Sequence, residues 1–81
     1  MIKLVTVKAI DNYTLELGYS NSEMCLFDVK PYLGFGIFIE LKDLAYFKSV
    51  TTKFDSISWQ NGQDFSPEML YLRSHPIPIS E

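Results

Sequence analysis

Cysteine and histidine each occur only once in this sequence of 81 residues, and their scarcity excludes several kinds of site. A chain with Cys25 alone cannot form an internal disulfide or a cluster of thiolate metal ligands. The only histidine, His75, lies between Ser74 and Pro76 in a segment predicted to be extended, where nothing holds a catalytic base in place. We therefore expect no catalytic triad, no metal site and no cofactor.

Positive charge is also scarce, since seven basic residues face ten acidic ones and leave a net charge of −3. Nucleic acids and anionic membranes both require a basic face, so neither is an expected partner. Lys3 and Lys8 interrupt the apolar core that a signal peptide needs. No apolar run approaches the roughly 20 residues of a membrane-spanning helix. Together with the single cysteine, this pattern indicates a cytoplasmic protein.

Apolar and aromatic residues, by contrast, are plentiful, at 47% and 15% of the chain. This content predicts a folded domain rather than a disordered chain. A domain of 81 residues buries only roughly 60–65% of its surface, so its core is small. We interpret residues 1–73 as one α+β domain and residues 74–81, which contain two prolines, as an extended or flexible tail.

Apolar and polar residues alternate along the first third of the chain, which is typical of β-strands with one buried face. Short polar segments interrupt the alternation twice and are brief enough to form hairpins. The pattern predicts an N-terminal three-stranded antiparallel meander. The apolar positions are Val5, Val7 and Ala9 in the first strand, Tyr13, Leu15, Leu17 and Tyr19 in the second, and Met24 to Val29 in the third.

The spacing of apolar residues becomes helical between Ile39 and Lys48. It predicts one amphipathic helix of about ten residues, which must pack on the sheet because so short a helix is not stable alone. Alternation returns in residues 50–55 and 56–60 and brings the predicted antiparallel sheet to about five strands. The helical stripe consists of Leu41, Leu44, Ala45 and Lys48.

The segment from Ile57 to Tyr71 contains the only tryptophan, an Asn-Gly pair and a Ser-Pro-Glu helix start. Ser66 fits an N-cap and Pro67 the first helical position, which predicts a short C-terminal helical turn. We expect Asn61 and Asp64 to shape the preceding turn through side-chain to backbone hydrogen bonds. Asp28 is expected to hold the Lys30-Pro31 turn in the same way.

These motifs resemble the family of small bacterial proteins known as domain of unknown function 2442. The resemblance extends from about Val5 to Tyr71 and is most specific in the closing segment. The matching positions are Asp28, Pro31 and Leu33 in the middle of the chain and Trp59, Asn61, Gly62, Asp64, Pro67, Glu68, Leu70 and Tyr71 at its end.

The resemblance implies an α+β domain with a meander and a packed helix, and it implies no catalytic residues. Some relatives carry a helix-turn-helix segment after this domain. Others look like halves of two-gene, toxin–antitoxin-like pairs. An antitoxin-like or regulatory partner of a neighbouring gene product is therefore one functional hypothesis for this chain.

The aromatic residues carry the leading hypothesis, because so small a core cannot bury all of them and tyrosine is enriched at binding hot spots. We predict a non-enzymatic module that binds a protein partner, or itself, through an aromatic face or a sheet edge. The candidate contact residues are Tyr32, Phe35 and Tyr46. Cys25 is predicted to be a buried core thiol.

A small-ligand-binding domain is the third hypothesis. It requires a pocket near Asp28, Trp59 or Asp64, with titratable groups whose pKa values are perturbed. The Gly34-Phe-Gly36 segment is not a phosphate-binding loop, because no phosphate-binding motif follows it in the sequence. It is expected to be a flexible joint between the sheet and the helix.

Overall fold

Three antiparallel strands at the N-terminus form the predicted meander in the structure, a computed structural model that describes residues 2–53 and 55–76. They are β1 (Leu4–Ile10), β2 (Thr14–Tyr19) and β3 (Met24–Asp28). The apolar side chains of β2 face the core, where Leu15 and Leu17 are fully buried. The predicted alternation in β2 is therefore confirmed, and Cys25 of β3 is buried as expected.

A β-bulge at Val5 determines which residues of β1 face the core. Leu4 pairs with Tyr19 and Thr6 pairs with Gly18, so β1 has one extra residue between these two pairs. The extra residue brings Leu4 onto the buried face and leaves Val5 58% exposed. The prediction that Val5 shares a face with Val7 and Ala9 is wrong, because alternation carries no signal for an inserted residue.

The second half of the chain contributes a two-stranded sheet and one further strand. The small sheet pairs β4 (Thr51–Lys53) with β5 (Ser56–Ser58) in antiparallel fashion. The last described strand, β6 (His75–Pro76), lies beside β3, so the large sheet has the order β1-β2-β3-β6. The α+β class is confirmed, but the strands divide between two sheets instead of forming one sheet of five.

Two short helices replace the single predicted helix of ten residues. A 3-10 helix spans Gly36–Lys42 and α1 spans Leu44–Phe47. Asp43 separates them, because its backbone is extended and its carboxylate accepts a hydrogen bond of 3.1 Å from the backbone N–H of Ala45. Asp43 is thus an N-cap in the middle of the predicted helix.

The predicted apolar stripe changes with this break. Leu41 is fully buried in the 3-10 helix, but Leu44 is 45% exposed and Ala45 is exposed. Phe47 is the buried residue of α1, and Lys48 is exposed at its C-terminus. The i, i+3, i+4, i+7 spacing fails because it assumes one continuous helix axis.

The second α-helix begins as predicted but runs longer than a single turn. It is α2 (Pro67–Arg73), and the hydroxyl of Ser66 accepts a hydrogen bond of 3.2 Å from the backbone N–H of Met69. Ser74 and β6 follow directly, so the first residues of the predicted tail lie beside β3. Residues 77–81 lie outside the described residues. In the part of the chain that the structure describes, no helix has the length and apolar content needed to cross a membrane.

One buried cluster joins the inner face of the large sheet to the helices and to β5. Trp59 lies within it, with its ring stacked on Phe47 at a centroid distance of 6.0 Å. Its indole N–H donates to the backbone carbonyl of Phe47 at 2.9 Å, which satisfies its only polar atom. The buried apolar residues are Leu4, Leu15, Leu17, Tyr19, Cys25, Phe27, Val29, Leu33, Leu41, Phe47, Ile57, Trp59, Phe65 and Leu70.

Gly18 is required by a close contact on the outer face of the sheet. A Cβ atom at position 18 would lie 2.4 Å from Oγ1 of Thr6 and 3.3 Å from Sδ of Met24. We expect Gly18→Ala to lower the free energy of unfolding by about 1–3 kcal/mol through overpacking. In a Thr6→Ala background the loss should shrink below about 1 kcal/mol, as urea denaturation of all four proteins would show.

Gly34→Ala is the matched control, because a Cβ atom at position 34 would meet no atom within 4 Å. We expect this substitution to be neutral or to stabilise by up to about 1 kcal/mol. Equal losses for Gly18→Ala with and without Thr6→Ala would contradict the proposed contact.

Candidate functional site

The three aromatic residues predicted to contact a partner lie in different environments. The ring of Tyr32 packs on Phe65 at 5.2 Å and on Phe27 at 5.8 Å between centroids, so it belongs largely to the core. Tyr46 is half-buried, and its hydroxyl is hydrogen-bonded within the fold. Phe35 is 67% exposed. Of the three, Phe35 is the residue that presents most of its ring to solvent.

Phe35 is one of four large apolar side chains that are exposed within ten residues of sequence. The others are Ile37 at 56%, Ile39 at 51% and Leu44 at 45%. We call these four residues the apolar strip. Single exposed apolar residues are normal on protein surfaces, whereas large contiguous apolar patches are typical of interaction sites and ligand-binding grooves.

The geometry of the 3-10 helix explains why the strip is exposed. With three residues per turn, Phe38 and Leu41 lie on one face, and both pack against the core. Ile37 and Ile39 lie on either side of that face and cannot reach the core together with it. Gly36, with φ of 51°, provides the left-handed backbone from which the helix begins.

A buried polar network fixes the 3-10 helix to the turn that follows β5. At its centre is Gln63, whose side chain is fully buried. Its amide Nε2 donates to the carbonyl of Ile37 at 2.7 Å and to the carboxylate of Glu40 at 2.6 Å. Its Oε1 accepts from the hydroxyl of Tyr46 at 2.7 Å. The amide is therefore satisfied on both sides, as a buried polar group must be.

The Asn-Gly turn packs onto the same network. Gly62 has φ of 98° and donates its N–H to the carbonyl of Trp59 at 3.1 Å, and Trp59 donates its own N–H to the carbonyl of Gln63 at 2.9 Å. Asn61 donates from its side chain to the carboxylate of Glu40 at 3.2 Å. The prediction that Asn61 forms a side-chain to backbone hydrogen bond is wrong. Its side-chain amide instead donates to Glu40, which lies 21 positions earlier in the sequence.

The remaining signature residues lie apart from this network. A carboxylate oxygen of Asp28 accepts from the backbone N–H of Lys30 at 2.9 Å and so holds the turn before Pro31 in the predicted way. Asp64 is exposed and pairs through its backbone with Ser58. Partly open grooves adjoin several of the signature positions: Asp64 and Pro67 line one of about 400 Å³, and Trp59 lines one of about 380 Å³.

Glu40 and Gln63 are the residues that sequence reasoning missed. Glutamine and glutamate are usually exposed, and nothing in their sequence neighbourhood distinguishes these two. Only the meeting of two segments more than twenty residues apart creates the network. No local pattern contains that information.

Tyr71 attaches α2 to the turn between β2 and β3. Its hydroxyl donates to a carboxylate oxygen of Glu23 at 2.8 Å, and its ring meets Tyr19 edge to face at 5.1 Å. Hydrogen bonds from Asn21 and Tyr71 lower the pKa of Glu23, and the bond to Glu23 raises the pKa of Tyr71. The signature residue Tyr71 thus links the last helix to the meander.

Tyr19 carries a buried hydroxyl that makes no hydrogen bond in residues 2–53 and 55–76. Burial raises the pKa of Tyr19 to about 12, and the neighbouring Cys25 and Tyr71 add to the shift. The hydroxyl of Ser74 acts in the opposite direction without meeting the geometry of a hydrogen bond. The fold therefore favours the neutral phenol over the phenolate more strongly than water does.

Gln63→Leu keeps the approximate size of the side chain and removes its amide, which leaves the Tyr46 hydroxyl and the Ile37 carbonyl without this partner. We expect the free energy of unfolding to fall by about 1–3 kcal/mol, the cost of one buried polar group left unsatisfied. The Tyr46 hydroxyl still accepts a hydrogen bond of 2.8 Å from the backbone N–H of Asn61. Gln60→Leu is the control, since Gln60 is exposed. It should change stability by less than about 0.5 kcal/mol. Equal stability of the two variants in urea would contradict the role of the network.

Tyr19→Phe tests the unsatisfied hydroxyl through the pH dependence of stability. Because the folded-state pKa is raised, the contribution of Tyr19 is complete below pH 10 and is lost as the pH rises through about 12. Tyr19→Phe should therefore lose less stability between pH 10 and pH 12 than the wild type. At pH 7 it should be unchanged or up to about 1 kcal/mol more stable. A clear loss of stability at pH 7 would show that the hydroxyl has a partner.

Comparisons with known proteins identify the family to which this chain belongs. A search among curated proteins and one among solved structures found no significant match. Among the described residues, no group of three histidine, cysteine, aspartate or glutamate side chains converges to hold a metal ion. The family model described as "Protein of unknown function (DUF2442)" matches residues 4–76, nearly the whole chain. The chain therefore belongs to the DUF2442 family, as the resemblance of its motifs predicted.

Proposed function

We propose that this chain is a non-enzymatic protein-interaction module that binds a partner protein through the apolar strip. The observation that carries the proposal is the exposure of four large apolar side chains between residues 35 and 44. Fully burying a side chain of this size is worth roughly 1.5–3 kcal/mol. Because the four strip residues are still 45–67% exposed, about half of that free energy is not gained in the isolated domain. A partner that covers them would recover this free energy.

The edges of the large sheet are less suited to a partner than the strip. At one edge, β1 carries the bulge at Val5 and the charged side chain of Lys8. At the other edge, the described part of β6 consists of two residues, one of which is Pro76. Bulges, lysines and prolines are the features by which edge strands avoid pairing with another chain. This contrast favours the apolar strip over edge-strand addition.

Charged groups beside the strip indicate the chemistry of the partner. Lys42 follows Ile39 by one turn of the 3-10 helix, and Lys48 follows Leu44 by one turn of α1, so each lysine shares a face with a strip residue. Neither ammonium group forms an ion pair in the described part of the chain. By contrast, the neighbouring carboxylate of Glu40 already accepts bonds from two side-chain amides. The proposed partner therefore presents apolar side chains flanked by carboxylates.

Capture from the native cell, with a strip variant and a matched surface variant, tests the proposal. The strip variant is Ile37→Ser with Ile39→Ser, and the control is Leu72→Ser, because Leu72 is 78% exposed and lies outside the strip. We expect the wild type and the control to capture one stoichiometric protein, and the strip variant to lose at least about 90% of it. All three should have the same midpoint of thermal unfolding within a few degrees.

Equal capture by all three proteins would contradict the proposal, as would a monomeric wild type that captures no stoichiometric protein. Light scattering could instead show a dimer for the wild type and a monomer for the strip variant. In that case the partner that covers the strip is a second copy of the chain. A captured protein encoded beside this gene would support the antitoxin-like or regulatory form of the proposal.

A further inference from the structure

A groove separate from the apolar strip lies between β2 and α2. It has a volume of about 370 Å³, within the range of about 300–1,000 Å³ that small-molecule sites occupy. Its described lining combines apolar surface with two carboxylates and contains no basic side chain. The lining residues are Ile2, Tyr19, Asp55, Pro67, Glu68 and Tyr71.

The apolar part of the groove is built from two aromatic rings whose hydroxyls are not available to a ligand. Tyr71 uses its hydroxyl to bind Glu23, and the hydroxyl of Tyr19 is buried. The two rings meet edge to face at 5.1 Å, and this contact fixes their relative orientation. The two tyrosines therefore present ring faces and ring edges to the groove, and not hydroxyl groups. Such surface suits an apolar ligand or a cation above an aromatic face.

The two carboxylates give the groove its charge. Asp55 and Glu68 are both exposed, and neither is paired with a basic side chain among the described residues. Glu68 lies in the first turn of α2, next to Pro67, and Asp55 precedes β5. A cation in the groove would gain two acidic neighbours without displacing an existing ion pair. An anion would gain only repulsion.

We propose that this groove binds a small amine with an aromatic or branched apolar body. The apolar body packs against Tyr19, Tyr71 and Ile2, and the ammonium group faces Asp55 and Glu68. This assignment uses both parts of the lining, since a neutral apolar ligand leaves the carboxylates unused and a polar cation leaves the apolar surface unused. The groove is independent of the apolar strip and shares no residue with it.

Titration of the ¹⁵N-labelled chain with phenethylamine, followed by NMR, tests the site. Two analogues of similar size, 2-phenylethanol and phenylacetate, differ in having no charge or the opposite charge. We expect phenethylamine to bind with a Kd of about 1 mM or lower, a reasonable affinity for so small a ligand. The alcohol should bind at least about 10-fold more weakly and the acid should not bind. The amide shifts should cluster around Tyr19, Glu68 and Tyr71.

Single substitutions distinguish ligand binding in this groove from the general attraction of a cation to an acidic protein. Asp55→Asn and Glu68→Gln should each weaken phenethylamine binding about 3- to 10-fold, in a salt-dependent manner. Asp64→Asn is the control, because Asp64 is also exposed but lines a different groove, and it should leave binding unchanged. The strip variant Ile37→Ser with Ile39→Ser should also bind phenethylamine normally, so the two proposals succeed or fail separately.

Three results would overturn the site. One is the absence of shifts at 10 mM phenethylamine in a folded protein. Another is equal binding of the amine and the alcohol, which would remove the role of the carboxylates. The third is equal weakening by Asp55→Asn and Asp64→Asn, which would show attraction to the acidic chain as a whole rather than to this groove.

Discussion

The fully buried amide of Gln63 is the interaction on which the second half of this structure depends. Its side chain joins the 3-10 helix to α1, and its backbone carbonyl closes the turn that follows Trp59. Neither short helix has enough internal hydrogen bonds to be stable alone. Because the amide binds the carbonyl of Ile37 from the inside, the 3-10 helix is fixed with Phe38 toward the core and the apolar strip toward solvent. The network thus links fold and proposed function.

Local rules were sufficient where a feature depends on adjacent residues. Alternation identified the meander, the Ser66-Pro67 pair identified the start of α2, and Asp28 was correctly expected to hold the following turn. These features rest on backbone geometry and on side chains that bond within two or three positions. The resemblance to the family rests partly on the same kind of residue, since Asp28, Gly62 and Pro67 lie in turns or at a helix start, and the family model matches residues 4–76.

The errors share a physical cause, because each involves a choice between two locally acceptable structures. A bulge at Val5 and a continuous strand differ by one residue and have the same composition. Asp43 can occupy either a helix interior or an N-cap position. The N-cap position is adopted here because Leu41 and Phe47 both pack into one core. The site depends on contacts between distant segments, so Gln63 and Glu40 had no local signal. The aromatic content of the sequence points to Phe35 as a candidate contact residue but carries no signal for Ile37 and Ile39, whose exposure follows from the 3-10 helix.

The proposed function requires that another protein covers the apolar strip in the cell. Site-specific photo-crosslinking from position 37, with position 72 as the matched exposed control, measures this most directly. We expect one discrete adduct from position 37, and we expect salt to lower its yield because Lys42 and Lys48 flank the strip. We expect no discrete adduct from position 72. The same pattern of adducts from both positions, or none from position 37, would contradict the proposed function.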